Sequence, residues 1–159
     1  MAVRNSISAL LTLLLLAGCA KTSGDYFFVS TETARTQGGC YDFLIGLDDS
    51  TATYAVRIAA RLVGSRIPER QIAFDIRITS PVGETAIERR TFPIGGNSGF
   101  RLVKGSGSVI DCEWLLQEGL RISGTEAGPW QISVSPTDPV LLEALYGVGL
   151  SCEANYGKR

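Results

Sequence analysis

The feature that most constrains the fold is a period-two alternation of apolar and polar side chains. Between Thr53 and Val63 every second residue is apolar, and Arg57 and Arg61 fall in the other phase. Such alternation is typical of a β-strand with one buried face. A helix would crowd the β-branched side chains of this segment against the preceding turns. The sequence therefore predicts a half-buried strand here.

The same alternation recurs along the chain in short segments bounded by turn residues such as Gly38-Gly39 and Pro81-Val82-Gly83. If strands 53–63 and 72–78 pair as a hairpin, Asp75 and Arg77 share a solvent face with Arg57 and Arg61, and Asp75 softens the repulsion among the arginines. The predicted strands are 26–29, 40–47, 53–63, 72–78, 85–94, 108–116, the short 120–123, 129–135 and 148–152.

These segments predict an all-β fold, an antiparallel β-sandwich of immunoglobulin-like or jelly-roll-like type with about eight strands. A parallel sheet needs crossover helices, and the chain has room for none before Ser135. The only helix-like segment is Asp138–Tyr146, where Asp138 is a candidate N-cap and Pro139 suits the first helical position. We predict one short helix near the C-terminus.

The N-terminal segment has the form of a bacterial lipoprotein signal. Arg4 precedes an apolar run, Ile7–Leu16, which is too short to span a bilayer. The run ends in a lipobox, Leu16-Ala17-Gly18-Cys19. We predict a signal peptide over residues 1–18, lipid attachment at Cys19, a tether over 19–25 and a β-sandwich domain over 26–159.

The lipid predicts contact with a membrane. Ala20 follows Cys19, where an Asp would signal inner-membrane retention, so we expect the outer membrane and leave the leaflet open. Two lipid chains hold a protein stably, since each buried methylene adds about 0.8 kcal/mol.

The composition excludes several functions. Fifteen basic residues against 16 acidic ones give a formal net charge of −1, which offers no electrostatic case for nucleic acid. The chain has no histidine, so the commonest general base and a common zinc ligand are absent. We predict no cofactor, no metal site and no catalytic residues.

Three cysteines remain besides Cys19, so the chain can form one disulfide and one thiol, or three thiols. The alternation points Cys112 and Cys152 inward and Cys40 away from the apolar face of its strand. Cys112 and Cys152 are therefore the candidate disulfide. The alternative is that both are small buried apolar residues.

The sequence contains no complete catalytic motif. Ser98 and Ser106 lie in glycine-rich loops without a base to activate them. The carboxylate pair Asp48-Asp49 falls in a predicted turn, and Asp111 and Glu113 fall on the outward face of a strand, where such residues are usually solvated. An enzyme is the least supported class, and a small hydrolase stays a third alternative.

Aromatic residues decide whether a glycan is a candidate ligand. Trp114 and Trp130 fall on inward faces, so core packing is favoured over a sugar-stacking platform. The exposed candidates are Tyr26, Phe100 and Tyr156. A carbohydrate-binding lipoprotein that aids glycan uptake is therefore the alternative function.

Two parts of the chain share a pattern with a known lipoprotein family. A Tyr-led strand, 54–58, is followed by a second apolar strand, 72–76, and by Pro81-Val82-Gly83. An aromatic strand, 128–134, precedes a Val-Gly-Leu-containing last strand within 145–153. Together with the lipobox, these segments resemble the GldH family, the gliding-motility lipoproteins of Bacteroidota, over residues 19–153.

The resemblance implies a β-sandwich lipoprotein of the outer membrane, with a part in motility and type IX secretion in gliding members. Of the site residues, it carries over only Cys19. We therefore expect a non-enzymatic accessory subunit of an envelope protein complex. The candidate partner surface is the arginine-bearing strand face and the loop Gly95–Gly107, represented by Arg57, Arg61, Arg77 and Phe100.

Overall fold

The computed structural model describes residues 25–63, 71–94, 101–103 and 109–157. The predicted signal peptide, Cys19, Phe100 and most of the loop Gly95–Gly107 lie outside the described residues. The described residues form nine strands, two short α-helices and one 3₁₀ turn at Gly124–Glu126. The strands are β1 Asp25–Ser30, β2 Tyr41–Leu47, β3 Thr53–Val63, β4 Gln71–Thr79, β5 Thr85–Pro93, β6 Arg101–Val103, β7 Val109–Leu120, β8 Gly128–Pro136 and β9 Leu145–Asn155.

The strands form two antiparallel sheets packed face to face, which confirms the predicted all-β sandwich. Sheet A has the order β1-β9-β3-β7-β6, and sheet B has the order β2-β8-β4-β5. The chain crosses between the sheets after β1, β2, β3, β5, β7 and β8. Each sheet therefore contains neighbours that are distant in the sequence, such as β1 and β9.

The prediction that strands 53–63 and 72–78 pair as a hairpin is wrong, because β3 lies in sheet A and β4 lies in sheet B. Seven residues separate these strands, which is longer than a typical hairpin turn and long enough to cross the roughly 10 Å between packed sheets. Crossing over lets the apolar rows of both strands face the same core. Arg77 consequently lies on the opposite side of the molecule from Arg57 and Arg61.

The inward side chains form one continuous core between the sheets, and β3 and β4 supply its centre. Ile58, Leu62, Phe74 and Ile76 are fully buried there. Phe92 links edge strand β5 to this core, since its ring centroid lies 6.2 Å from that of Phe74.

Two helices close the connections at one end of the sandwich. Helix α2, Pro139–Ala144, confirms the predicted C-terminal helix, with the Val140 amide donating to the Asp138 carboxylate at 2.8 Å. Helix α1, Thr31–Thr36, was not expected, and Asp138–Tyr146 is thus not the only helical segment. Its six residues are too few to show a helical period, and the Ser30 side chain caps its first turn.

Strand β7 runs unbroken from Val109 to Leu120, where the sequence predicts separate strands over 108–116 and 120–123. Its register against β3 shifts on both sides of Val56. Each shift places an extra β7 residue opposite β3, as a β-bulge does. The bulges disrupt the period-two pattern after Leu116 and so hide the continuity of the strand.

The predicted Cys112–Cys152 disulfide is wrong, although both side chains are buried as expected. Cys112 lies beside Ala60 on one side of β3, and Cys152 lies beside Val56 on the other. The two cysteines are therefore about 10 Å apart across the sheet and offset by about 13 Å along it. A disulfide needs Cα atoms within about 7 Å.

Candidate functional site

The outer face of sheet A carries two of the predicted partner residues. Arg57 and Arg61 project outward from β3. On β7, Asp111 stands directly opposite Arg61, and Glu113 stands opposite Ala59, diagonally between the two arginines. Arg61 donates from Nε and Nη2 to the two carboxylate oxygens of Asp111 at 2.7 and 2.9 Å. Arg57 Nε lies 3.6 Å from Glu113 Oε1. The predicted outward placement of both carboxylates is confirmed, and they neutralise the arginines.

Two aromatic rings extend this charged row toward the edge of the sheet. Tyr26 and Phe28 project outward from β1 and are 59% and 44% exposed. The Phe28 ring lies over Gly147 and the Tyr26 ring over Gly149, both on the neighbouring strand β9. The guanidinium carbon of Arg61 lies 5.8 Å from the Phe28 ring centroid, within cation–π range.

We call this set of outward side chains the aromatic–arginine face: Tyr26, Phe28, Arg57, Arg61, Asp111 and Glu113. The Gly147-x-Gly149 pattern creates it locally, because a glycine in a strand lets another group approach the backbone closely. Any side chain at these positions would collide with the rings. The rings therefore cover the two glycines and remain partly exposed to solvent.

The electrostatics of the face depend on Arg61. Its hydrogen bonds to Asp111 raise the pKa of the guanidinium, which stays charged at every physiological pH. Partial burial raises the pKa of the Tyr26 hydroxyl, and the positive charge of Arg61 opposes that rise. The face therefore presents a neutral phenol beside fixed, paired charges.

Arg77 belongs to a different surface, the outer face of sheet B. It lines a polar hollow of about 340 Å³ together with Cys40, Asp42, Gln131 and Ser133. The Ser133 hydroxyl donates to Asp42 at 2.5 Å. Arg89 binds the two oxygens of Asp75 at 2.8 and 3.0 Å, so Asp75 pairs with β5 and not with the arginines of β3.

The structure separates the four predicted partner residues. It brings Arg57 and Arg61 together, places Arg77 on the far sheet, and leaves Phe100 outside the described residues. Sequence reasoning named Tyr26 as exposed but missed Phe28. The two glycines of β9 were the available signal, since glycine is otherwise unfavourable in the middle of a strand.

Neither tryptophan forms an exposed platform. Trp114 is 2% exposed and donates from Nε1 to the Pro93 carbonyl at 2.9 Å. Trp130 is half-buried and donates to the Glu126 carbonyl at 2.9 Å. The expected inward placement of both residues is confirmed.

A cavity of about 150 Å³ lies between the sheets at the end of the sandwich where β3 begins. Its wall is almost entirely apolar. Sheet A contributes Val56, Leu116 and Leu120, and sheet B contributes Ile45, Ile78 and Ile132. Leu47 and Trp130 complete the apolar wall, while Glu88 and Gln117 are its polar lining residues.

Within the described ranges, no group of three or more Asp, Glu, Cys or His side chains is arranged to hold a metal ion. In the same ranges, no helix is both long and apolar enough to cross a membrane. Comparisons of the chain with protein-family models, with curated proteins and with solved structures found no match.

Proposed function

We propose that this chain is a lipid-anchored, non-enzymatic accessory subunit of a protein complex in the bacterial outer membrane. The lipobox at Cys19 supports the anchor, and the resemblance to GldH supports an envelope complex of the gliding or type IX secretion kind. The aromatic–arginine face is the single observation that carries the choice of a protein partner. The partner binds this face.

The composition of the face suits a protein interface. Tyrosine and arginine are over-represented among the residues that contribute most to protein–protein binding. The rings of Tyr26 and Phe28 already contact Gly149 and Gly147, so binding costs them little side-chain entropy. The pairing of Arg61 with Asp111 also orients a guanidinium and a carboxylate in advance. A partner with polar groups of both signs around an apolar centre would complement this surface.

The test is in-cell cross-linking of the tagged full chain, followed by mass spectrometry of the detergent-solubilised outer membrane. Arg57→Ser combined with Arg61→Ser changes the aromatic–arginine face. Arg77→Ser combined with Arg89→Ser is the matched control on the opposite sheet. We expect the first pair to reduce recovery of a reproducible partner at least about tenfold, a loss of about 1.4 kcal/mol, and the second to leave it unchanged.

Both variants must fold for this comparison, and urea unfolding of each is the check. Exposed ion pairs contribute at most about 1 kcal/mol, so we expect the two unfolding curves to stay near that of the wild type. Equal recovery of the partner with both variants would sink the assignment of this face.

A surface glycan-binding lipoprotein is the second candidate, and the exposed rings of Tyr26 and Phe28 favour it. A flat ring beside a carboxylate and a guanidinium offers both stacking and hydrogen bonds to a sugar. A glycan-array screen of the full chain distinguishes this function. Binding that disappears in Tyr26→Ala, without a protein partner in the cross-linking experiment, would favour the glycan.

A further inference from the structure

The cavity between the sheets is large enough for a small apolar group. An apolar protein cavity of about 150 Å³ stays dry and takes up benzene, so this one holds about six carbon atoms. Val56, Leu116 and Ile132 are buried residues that face it from both sheets. Because few polar groups line it, the cavity selects for hydrocarbon and offers little to a sugar or an ion.

The rim of the cavity is polar on the side of edge strand β5. Glu88 stands opposite Ile76 and Arg90 stands opposite Phe74, so both project from the inner face of β5. Arg90 Nε lies 2.9 Å from Glu88 Oε1, and both side chains are 42% exposed. These exposed charges are hydrated at the opening of the cavity, whereas its interior is apolar. An amphiphile, with a polar head and a hydrocarbon chain, fits this arrangement.

The cavity lies at the end of the sandwich where β1 begins. Across sheet A, Asp25 pairs with Cys152, which in turn pairs with Val56. Val56 pairs with Gln117, and both line the cavity. Asp25 therefore lies at the same height along the strands as the cavity. Cys19 precedes Asp25 by six residues, which reach at most about 21 Å. The distance from β1 across β9 and β3 to β7 is about 14 Å. The lipid attachment point and the cavity are therefore within reach of each other.

We propose that this cavity binds the end of a linear acyl chain. Both the membrane lipids and the lipid on Cys19 carry such chains, and about six terminal carbons fit inside while the rest passes out between Glu88 and Gln117. The choice of an acyl chain over other hydrocarbons rests on the proposed lipid anchor. Acyl binding goes beyond the accessory-subunit role, since it couples the fold of the domain to the membrane beneath it.

Trp130 provides the measurement because its side chain lines the cavity. The full chain is reconstituted in vesicles of phosphatidylethanolamine and phosphatidylglycerol, and fatty acids brominated at the terminal carbons are added. We expect bromine to quench Trp130, and the quenching to be lost in Trp130→Phe. In buffer without vesicles, the affinity of full-length Cys19→Ser for these acids should rise about fourfold for each added methylene and level off near six carbons, because each methylene then leaves water for the cavity.

Two variants fill the cavity, Val56→Phe and Ile78→Phe, and both should lose quenching. Leu44→Phe is the matched control, because Leu44 is exposed on the outer face of sheet B. Unfolding midpoints identify any variant that fails to fold, and either filled variant suffices. Quenching that persists in a folded, filled variant, or that is absent from the wild type and from Cys19→Ser, overturns the proposal.

The source of the chain is determined by comparing the wild type with full-length Cys19→Ser. Equal quenching in both shows that a separate lipid is the ligand. Quenching in Cys19→Ser alone shows that the protein's own anchor fills the cavity in the wild type. The mass of the N-terminal peptide reports lipid attachment independently, so an unmodified Cys19 would refute the anchor without refuting the cavity.

Discussion

The ring of Phe28 lies over Gly147 and occupies the space that a side chain at that position would need. The backbone carbonyl of Val29 lies only 2.6 Å from where a Cβ atom would be. The first contact belongs to a side chain that can rotate away, but the second belongs to the backbone of β1. Edge strand β1 therefore approaches β9 this closely only because residue 147 is glycine.

Gly147→Ala should consequently destabilise the domain by about 1–3 kcal/mol, as overpacking does elsewhere. Gly149→Ala should cost less, because the three atoms nearest to its Cβ position belong to the Tyr26 side chain, which can swing into solvent. Urea unfolding measures both. Gly124→Ala, with no atom within 4 Å of its Cβ, is the control and should stay within about 0.5 kcal/mol of the wild type. Equal losses at 147 and 149 would contradict the role given to β1.

A second prediction concerns the buried side-chain hydrogen bonds of Thr31, the first residue of helix α1. Thr31 Oγ1 donates to the Leu145 carbonyl at 2.7 Å and accepts from the Tyr41 hydroxyl at 2.8 Å. Thr31→Val keeps the shape but leaves both partners unsatisfied, so we expect a loss of about 1–3 kcal/mol. Thermal or urea unfolding measures it, with exposed Thr36→Val as the control.

The same group predicts non-additivity. Tyr41→Phe removes one of the two groups that Thr31→Val leaves unpaired, so the double variant should lose less than the sum of the single losses. Strict additivity in the double-mutant cycle would show that the hydroxyls do not interact.

The cysteines predict a pattern of thiol labelling. Burial raises the pKa of the Cys112 thiol to about 11, whereas Cys40 is only half-buried beside Ser135 at 3.1 Å. Iodoacetamide at mildly alkaline pH should therefore label Cys40 first and Cys112 only on unfolding. Peptide mass spectrometry without reductant should also find no Cys112–Cys152 cross-link. Rapid labelling of native Cys112 would contradict its burial.

Acid should weaken the fold through specific carboxylates. Hydrogen bonds from Arg89 lower the pKa of Asp75, and the Ser123 backbone amide lowers that of Glu126. A depressed pKa stabilises the folded state above the unfolded value and loses this effect as pH falls through the folded value. Unfolding midpoints should therefore decline below pH ~4.

Asp75→Asn should make that decline shallower, as should Glu126→Gln. Salt separates the two residues, because ~1 M NaCl screens the exposed Arg89–Asp75 pair but affects the local Ser123–Glu126 hydrogen bond less. An acid decline that is identical in wild type and Asp75→Asn would show that other carboxylates control it.

The strand faces were predictable from the sequence, but strand neighbours were not. The alternation of apolar and polar residues predicts which side chains of β3 and β4 point inward, and the side chains buried in the structure agree with it. It does not say whether two such strands pair edge to edge or pack face to face, because both arrangements bury the same residues. The resulting error moved Arg77 to the wrong surface.

The site was predictable in part for the same reason. The outward phase of Arg57 and Arg61 follows from alternation within one strand. The position of Phe28 beside Arg61 depends on β1 pairing with β9, a contact between the two ends of the domain. The cavity depends on how far the sheets separate near Leu120, which no local pattern encodes.

The pairing of β1 with β9 also fixes an order of assembly. If the chain is exported from its N-terminus, as the proposed anchor implies, β1 emerges first and β9 last, and among the described strands β9 is the one neighbour of β1 in sheet A. Contacts between such distant segments form slowly because a long loop must close first. Under that proposal β1 stays unpaired until β9 has also been translocated, and a chain truncated before Leu145 would leave β1 without its partner strand.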